Sequence, residues 1–528
     1  MYNSYKKHLY IPLALASLIF AQSSTAEEVS LVNIYHPTTT CALLGDIEAA
    51  NLSGGPSIID LGGLVFELEN DCATQAALCG APVTVLGCYA NGVNYSFGPT
   101  GLPEITSQMT IANGRIIRGT DANIPFRLIS VITAAPDNLS LFKVTLENGS
   151  AQPYTNAGPP AESDSGNGGG VFVASGASLV LQSSKIGFNL ADDSGGGIYV
   201  DCGGTLDAQF SIISHNTAEA ANVLNLKGGG GGIYLALCAL AHNKKLGAVL
   251  GSLDNSTVSY NSTPGLGGGL NNQGSAQSIL NSTFSYNLTC VSVPGSGECL
   301  IGSNPTGAGG GIYNDSTAVF LEITQSTFWA NRSLQGGAIY NEEARATAPG
   351  AGVYMNNNTI ANNFAQLNGG GIYNNGFINQ FVSNLVGNNT DFANAAPDIW
   401  SLPNAALTGF EYPVLPSPPT GVITEGFNFV GDCGTTGQCQ LVNDVNKDII
   451  GGSATVSANI DPRIHDLEWK GGPTETVALF PDSPAVNNGY NNLHLAFDQR
   501  GRHFFRTVGQ TDIGSYEVQY DSLKFAAL

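Results

Sequence analysis

Residues 363–373 read NFAQLNGGGIY, and similar phrases occur at 189–199 (NLADDSGGGIY) and 331–340 (NRSLQGGAIY). Each copy places an asparagine a few residues before a glycine cluster that ends in Ile-Tyr. Seven asparagines hold this position: Asn189, Asn216, Asn261, Asn287, Asn331, Asn363 and Asn389. They are separated by 27, 45, 26, 44, 32 and 26 residues. A base period of 26–27 residues with insertions predicts a solenoid rather than a chain of separate domains.

Residues aligned on these asparagines fall into columns of one character. Apolar residues stand three and eight positions before each asparagine, and small polar residues or asparagines stand five before it. Each repeat therefore contains several short strands with inward apolar residues, of which Phe328 is one. Glycine and asparagine suit the corners, because both tolerate a positive φ angle. The pattern predicts an all-β fold, a single right-handed parallel β-helix, with asparagines that pass hydrogen bonds from coil to coil.

Composition supports this prediction and limits the classes of partner. Charged residues make up 11% of the 528 residues, less than half of the usual ~25%, and 67 residues are glycine. This balance disfavours disorder, coiled coils and helical bundles. The net charge of −22 excludes non-specific binding of phosphate backbones, so we expect no nucleic-acid partner.

The N-terminus predicts export. Lys6 and Lys7 precede an apolar run at 11–21 and small residues at 24–26, which together are typical of a signal peptide over residues 1–26. The rest of the chain has no stretch apolar enough to span a membrane. All ten cysteines follow the predicted signal peptide, and an even count in an exported chain favours disulfides. Cys290 with Cys299 and Cys433 with Cys439 are expected to close two loops, whereas the pairing of the four N-terminal cysteines stays open.

Both ends of the predicted rod are expected to carry covers, because open β-helix ends expose strand edges. Residues 41–51 (CALLGDIEAAN) have the spacing of a short amphipathic helix suited to an N-terminal lid. We expect a capping region at 27–100, coils with Asn/Gly repeats at 101–400, and the last coils with a loop insertion at 401–528. One continuous β-helix is expected from about residue 100 to residue 518.

Both ends also resemble known secreted proteins. Residues 41–51 resemble the CSLREA region of bacterial β-helix proteins, although Leu44 and Gly45 replace its Arg-Glu or Arg-Asp pair. The stretches GGPTET (471–476), LFPDSPA (479–485), DQRG (498–501) and DIGSYE (512–517) resemble the end of choice-of-anchor Q proteins. The glycine repeats are similar to those of chlamydial polymorphic outer-membrane proteins. The resemblance implies a pectin-lyase-like fold and an exported or surface protein, usually of unassigned biochemistry.

A column of aromatic residues directly follows the inward aliphatic residue after each glycine cluster. The column contains Phe172, Tyr199, Tyr234, Tyr313, Tyr340 and Tyr373, and only Asn271 interrupts it. Because side chains alternate across a strand, these rings are expected to point outward. They either stack on one another, contributing ~0.5–1.5 kcal/mol per pair, or form a strip that binds sugar rings or a partner protein. Asn314, Asn341 and Asn374 would flank such a strip as hydrogen-bonding groups, and Asn375 is a further candidate binding residue.

Acidic residues give few candidates for catalysis or metal binding. Asp315 and Glu342 are one repeat apart, so their carboxylates are expected about 5 Å from each other, a separation that suits a retaining glycosidase or a Ca²⁺ site. The alternative is two solvated acids beside a turn. Asp444, Asn446 and Asp448 begin like a calcium-binding loop, but Ile449 replaces the glycine of that motif. Ca²⁺ is the only cofactor that any pattern suggests.

The sequence therefore favours a non-enzymatic bacterial protein, extracellular or on the cell surface, that binds glycans or surfaces through the rod in the manner of an adhesin. The alternative is a polysaccharide lyase or glycoside hydrolase that uses Asp315 and Glu342, since the β-helix fold also hosts such enzymes.

Overall fold

The computed structural model describes most of the chain after residue 31. The described residues are 32–80, 98–122, 124–132, 138–152, 166–219, 228–238, 247–289, 307–342, 352–376, 378–392, 396–402, 425–434, 439, 441, 443–453 and 456–519. The predicted signal peptide and the Cys290 and Cys299 loop lie outside these residues.

The molecule is a parallel β-helix, as predicted. Its largest sheet has 21 strands and bends along its length, so that two columns of strands form two faces of the rod. Met109–Arg118 and Leu139–Glu147 run through the bend and belong to both faces. A separate nine-stranded sheet forms the third face.

We call these three surfaces face A, face B and face C. The further strands of face A are Asn33–Tyr35, Ser57–Asp60, Ser178–Gln182, Thr205–Gln209, Val249–Asp254, Ser275–Leu280, Phe320–Thr324, Gly352–Asn356 and Ile378–Val382. Those of face B are Val65–Leu68, Lys185–Gly187, Ile212–Ser214, Thr257–Ser259, Thr283–Ser285, Thr327–Trp329, Thr359–Ala361, Leu385–Gly387, Phe429–Val430 and Ile449–Ile450. Those of face C are Ile129–Val131, Val171–Val173, Ile198–Val200, Ile233–Leu235, Leu270–Asn272, Ile312–Asn314, Ile339–Asn341, Ile372–Asn374 and Ile399–Ser401.

Short strands between faces B and C form two three-stranded sheets. They are Ser150–Ala151, Leu190–Ala191 and Thr217–Ala218, then Arg332–Gln335, Phe364–Asn368 and Thr390–Asp391.

The corners of the coils adopt the left-handed conformation that the sequence predicts. Residues on both sides of the seven face B strands from Lys185–Gly187 to Leu385–Gly387 have positive φ angles, for example Phe210 (50°) and His215 (58°). The glycine three residues before the inward aliphatic residue of each cluster also has a positive φ. At Gly195 (φ 67°) a Cβ atom would lie 2.6 Å from the carbonyl oxygen of Ile198, so both conformation and space require glycine there.

Buried amides run along the interior of the rod. The backbone and side-chain N–H groups of Asn189 both donate to Oδ1 of Asn216, and the same pair of bonds repeats along the seven register asparagines. The ladder ends at Asp398, which accepts from Asn389 at 3.0 and 2.8 Å. A parallel ladder of serines and asparagines ends at Asp448. These ladders satisfy corner backbone that water cannot reach, which confirms the predicted role of the asparagines.

The core between the faces is aliphatic and aromatic. Phe328 is fully buried and stacks on Phe284 of the preceding coil with ring centroids 5.0 Å apart, so its predicted inward direction is confirmed. Burial of large side chains in close-packed layers is the main stabilising contribution in such a solenoid.

The N-terminal end is covered by helix α1 (Thr40–Ser53), which matches the predicted lid. Leu43, Leu44 and Ile47 face the core. Asn51 fixes the helix to the first coils, because its side chain donates to the carbonyl of Glu104 and accepts from the N–H of Thr106. Helix α2 (Cys72–Leu78) follows. Strands at 57–60 and 65–68 already pair with 109–118, so the rod begins before residue 101.

The C-terminal end differs from the prediction. The parallel coils end at Ile449–Ile450, after a short 3₁₀ helix at Val445–Lys447. Residues 456–519, which we call the C-terminal segment, contain an antiparallel hairpin of Ile464–Glu468 and Thr476–Leu479. This segment runs back across face B. The expectation of one β-helix to residue 518 is therefore wrong for the C-terminal segment.

Disulfides join loops at several points of the described chain. Cys433 pairs with Cys439, as predicted, and Cys202 pairs with Cys238. Cys41 pairs with Cys79, which links α1 to the end of α2 and resolves part of the pairing that the sequence left open.

Candidate ligand-binding face

The predicted tyrosine column lies on face C. Tyr199 stacks on Tyr234 with centroids 5.2 Å apart, and Tyr340 stacks between Tyr313 and Tyr373 at 5.3 and 4.9 Å. Asn271 occupies the column between the two stacks. The stacking alternative is therefore confirmed.

These stacked rings expose little surface. Tyr199, Tyr234, Tyr313 and Tyr373 are at most 9% exposed, and Tyr340 is half-buried. Leu266 and Ala308 pack with Tyr313 and Tyr340. Burial raises the pKa of the Tyr313 phenol, as does its hydrogen bond to the Glu342 carboxylate. Face C therefore does not present a broad accessible strip of ring faces. Binding by the tyrosine column stays a prediction.

Asp315 and Glu342 follow paired strands in consecutive coils, as predicted. Asp315 is fully buried, and its Oδ1 accepts from the backbone N–H (2.9 Å) and the hydroxyl (2.7 Å) of Thr317. The alternative of two solvated acids is therefore wrong for Asp315. Its carboxylate closes a turn, a structural use that the one-repeat spacing did not reveal.

Glu342 is half-buried and has different partners. Its Oε2 accepts from the Tyr313 hydroxyl at 2.5 Å and from the N–H of Ser316 at 3.3 Å. Asn375 lies one coil further on, where its backbone N–H donates to the carbonyl of Asn341 at 2.8 Å. The structure thus brings Asp315, Glu342 and Asn375 to consecutive coils. Catalysis by Asp315 and Glu342 stays a prediction.

The candidate calcium loop is divided between surface and interior. Asp444 and Asn446 are exposed, whereas Asp448 is buried and accepts two hydrogen bonds from Asn428 at the end of the interior ladder. Within the described parts of the chain, no group of three or more acidic, histidine or cysteine side chains is placed to hold a metal ion.

Face B has a covered half and an open half. The covered half consists of Thr283–Ser285, Thr327–Trp329, Thr359–Ala361 and Leu385–Gly387, and the C-terminal segment lies over it. Gln499 of this segment donates to the Thr283 hydroxyl (2.9 Å) and accepts from that of Thr327 (2.6 Å). The open half consists of Lys185–Gly187, Ile212–Ser214 and Thr257–Ser259, and Ile212 is 44% exposed there.

An exposed aromatic ladder borders the open half and the first covered strand, at the corner that leads to the interior asparagines. Phe188, His215, Tyr260 and Tyr286 each stand immediately before a register asparagine. Successive ring centroids lie 4.6, 4.9 and 4.7 Å apart with interplanar angles of 22°, 15° and 10°. Phe188, Tyr260 and Tyr286 are 49%, 50% and 40% exposed.

The geometry of this ladder leaves part of each ring face accessible. Carbon atoms in contact lie ~3.5–4.0 Å apart, so centroids nearly 5 Å apart indicate offset stacking. The ladder therefore presents a continuous apolar ribbon of ring edges and partial faces, with the hydroxyls of Tyr260 and Tyr286 among them. Large exposed apolar surfaces of this kind mark interaction sites more often than scattered side chains do.

Charge is low along the ladder and concentrated at its N-terminal end. Partial burial and the nearby Lys185 ammonium lower the pKa of His215, so the imidazole is mostly uncharged at neutral pH. Glu147 bridges Arg115 (2.6 Å) and Lys185 (2.8 Å), and these two cations hold its pKa below the usual range.

An amide row borders the opposite side of face B. It consists of Asn255, Asn281 and Gln325 at the corner between faces A and B, continued by Phe210 in the preceding coil. Gln325 donates to Oδ1 of Asn281 at 2.9 Å. The open half is thus a shallow trough whose floor carries Lys185, Ile212, Thr257 and small residues, with aromatic rings on one side and Phe210 and Asn255 on the other. Asn281 and Gln325 continue the amide row beside the covered strands.

Sequence reasoning missed this trough, although a signal was present. The column immediately before the register asparagines reads Phe, His, Tyr, Tyr in its first four coils and then Ala330, Asn362 and Asn388. Left-handed corners are recognised by backbone conformation, so the side chains of this column do not enter the prediction of the corners.

No protein-family model, no curated protein and no solved structure matches this chain. In the part of the chain that the structure describes, no helix has the length and apolar character needed to cross a membrane.

Proposed function

We propose that the protein is an exported, non-enzymatic binding protein whose open half of face B binds glycan chains. The observation that carries the proposal is the exposed, offset-stacked aromatic ladder Phe188–His215–Tyr260–Tyr286. Sugars present C–H groups that pack on aromatic surfaces and hydroxyls that pair with amides, and the trough offers both kinds of contact side by side. Its direction along the rod suits an extended polymer.

The charges favour a neutral glycan. Apart from the Arg115–Glu147–Lys185 cluster at one end and Asp254, which accepts from the Asn255 amide at 2.7 Å, the trough is lined mainly by uncharged rings, hydroxyls and amides. The net charge of −22 opposes the approach of acidic polymers through long-range repulsion. The disulfides support an oxidising, extracellular location, where such a polymer would be met.

The resemblance at the two ends also supports this class. The residues that carry the choice-of-anchor Q resemblance attach the C-terminal segment to the rod, since Gln499 contacts Thr283 and Ser515 donates to Thr359. We therefore propose that the chain belongs to that group of surface β-helix proteins.

Glycan binding is tested by measuring retention on an array of neutral and acidic glycans with wild type and with Tyr260→Ser/Tyr286→Ser. Because two aromatic contacts of ~0.5–1.5 kcal/mol each are removed, the double variant is expected to bind about tenfold or more weakly. Tyr340→Ser, in the face C column, is the matched control and is expected to bind as wild type does.

Two results would contradict the proposal. A folded double variant with undiminished binding would show that the ladder is only packing. Loss of binding in Tyr340→Ser alone would instead locate the site in the tyrosine column of face C, which is the binding strip that the sequence predicts.

A further inference from the structure

A cavity of about 390 Å³ lies where the C-terminal segment meets the open half of face B. The rod contributes Phe210, Asn281 and Gln325 to its lining, and the segment contributes Phe497, Arg500 and Arg502. The volume falls within the range of ~300–1,000 Å³ that is usual for small-ligand sites. Because Phe210 belongs to an uncovered coil and is 50% exposed, the cavity continues from the surface of the open half.

One buried polar atom in this lining has no partner. Gln325 is 2% exposed, its Nε2 donates to Asn281, and its Oε1 accepts no hydrogen bond. Buried side-chain acceptors are nearly always paired in folded proteins, so this unpaired oxygen in a residue of the cavity wall is a candidate acceptor for a ligand donor. The atom itself has almost no accessible surface, so a small shift of the Gln325 side chain is needed to reach it. A hydroxyl group is the simplest such donor.

The two arginines of the lining differ in their availability. Arg500 is buried, pairs with both carboxylate oxygens of Asp498, and stacks on Phe504 and Tyr516. Arg502 is exposed and forms no hydrogen bond or ion pair with a described residue. Its guanidinium is therefore free to donate to oxygen atoms of a ligand.

We propose that this cavity binds the terminal sugar residue of a glycan chain that lies in the open trough. The ring packs against Phe210 and Phe497, its hydroxyls donate to Gln325, and its oxygens accept from Arg502. The C-terminal segment blocks face B beyond this point, so a polymer that follows the trough must end or leave the surface here. This inference rests on the proposed function and adds recognition of a chain end.

The test compares linear hexasaccharides with their parent polymers by calorimetry. The probes are β-1,4-glucan, β-1,4-mannan, β-1,4-xylan and α-1,4-glucan hexasaccharides, the polymers of each, and cyclic α-1,4-glucan hexasaccharide, which has no end. Wild type is compared with Gln325→Leu and Arg502→Ala. Arg502 is exposed, so its variant keeps the test valid if Gln325→Leu fails to fold.

Binding of at least one linear hexasaccharide is expected to weaken about tenfold in each variant, as the loss of one hydrogen bond to a charged or buried partner implies. Binding of its parent polymer, held mainly by the trough, is expected to weaken less than threefold. End recognition would be overturned if the variants lost hexasaccharide and polymer binding equally, or if hexasaccharide binding were unchanged. It would also be overturned if the protein bound α-1,4-glucan but had equal affinity for its cyclic and linear hexasaccharides.

The outcomes also separate the two proposals. Binding of a polymer without binding of any hexasaccharide would overturn the cavity proposal and leave the trough proposal standing. Absence of binding to every polymer and oligosaccharide would overturn both.

Discussion

The covered and open halves of face B have the same strand length, a fully buried apolar residue at the centre of each strand and the same left-handed corners, but different outward surfaces. In the covered half, Thr283 and Thr327 are fully buried and hydrogen-bonded to the C-terminal segment. In the open half, Thr257 is half-buried and Ile212 is largely exposed beside the aromatic ladder. A repeating fold thus fixes the interior of every coil, while the outward residues determine whether a stretch is sealed by its own chain or left for a partner.

The covered half depends on a compact set of buried charges. Arg506 is fully buried and donates to Oδ1 of Asn357 (2.7 Å) and to the carbonyls of Asp512 (2.9 Å) and Gly514 (2.8 Å). It also lies 3.5 Å from the Glu517 carboxylate. One side chain therefore joins the rod to three positions of the C-terminal segment.

Replacing Arg506 by Ala is expected to have the largest effect on the distinction between the halves. The change removes the donor to the Asn357 side chain and to the buried carbonyls of Asp512 and Gly514, so we expect a loss of about 3–5 kcal/mol in the free energy of unfolding. Chemical denaturation measures this loss, and limited proteolysis should then cut residues 456–519 first. The exposed Arg502→Ala is the control, with an expected change below about 0.5 kcal/mol. If the Arg506→Ala protein is as stable as wild type and its C-terminal segment resists proteolysis, Arg506 is not the residue that attaches this segment to the rod.

Phe328→Ala tests the interior that both halves share. Phe328 is fully buried and stacked on Phe284, so its removal leaves a cavity and is expected to cost about 3–5 kcal/mol in the free energy of unfolding. The matched surface change is Tyr260→Ala, where loss of stacking is expected to cost at most about 1.5 kcal/mol per ring pair. A cost below about 1 kcal/mol for Phe328→Ala would contradict the distinction between inward and outward residues.

The interior of face B could be predicted from the sequence because stacking places like residues on like. The columns that contain Phe328 and Asn331 keep the same three-residue offset in every coil although the coils differ in length, so their inward direction and their ladder follow from alignment alone. The cover could not be predicted in this way. Gln499 contacts Thr283 and Thr327 across 216 and 172 residues, and neither periodicity nor local propensity links positions so distant.

The candidate site lies between these two cases. The aromatic ladder follows the repeat and could have been read from the residues before Asn189, Asn216, Asn261 and Asn287. Its exposure could not, because only the position of the C-terminal segment determines which coils remain open. The cavity at Gln325 depends on the same tertiary contact.

The expected effect that is smallest over any single pH unit is a pH dependence of the covered half. Burial and the nearby Asp512 carboxylate raise the pKa of Glu517 to about 8 from its ordinary value near 4.5. Between these two pH values the folded protein holds a proton that the unfolded chain has released, so the free energy of unfolding falls as the pH rises. The slope for one such group is at most about 1.4 kcal/mol per pH unit. The pKa of His215 in the open half is lowered instead, so the contribution of His215 to the free energy of unfolding decreases as the pH falls, not as it rises.

Hydrogen exchange from pH 5 to pH 9, corrected for the intrinsic rate, separates these contributions by region. Residues 456–519 are expected to lose protection as the pH rises, whereas the coils around 185–260 are expected to keep theirs. Glu517→Gln retains the size of the side chain and one acceptor oxygen but cannot ionise, and it should therefore flatten the dependence in the segment. If the variant keeps the wild-type dependence, another group titrates beneath the cover. If the open coils lose protection in parallel, the two halves unfold as one unit, and the cover is an integral part of the rod rather than a separable layer on it.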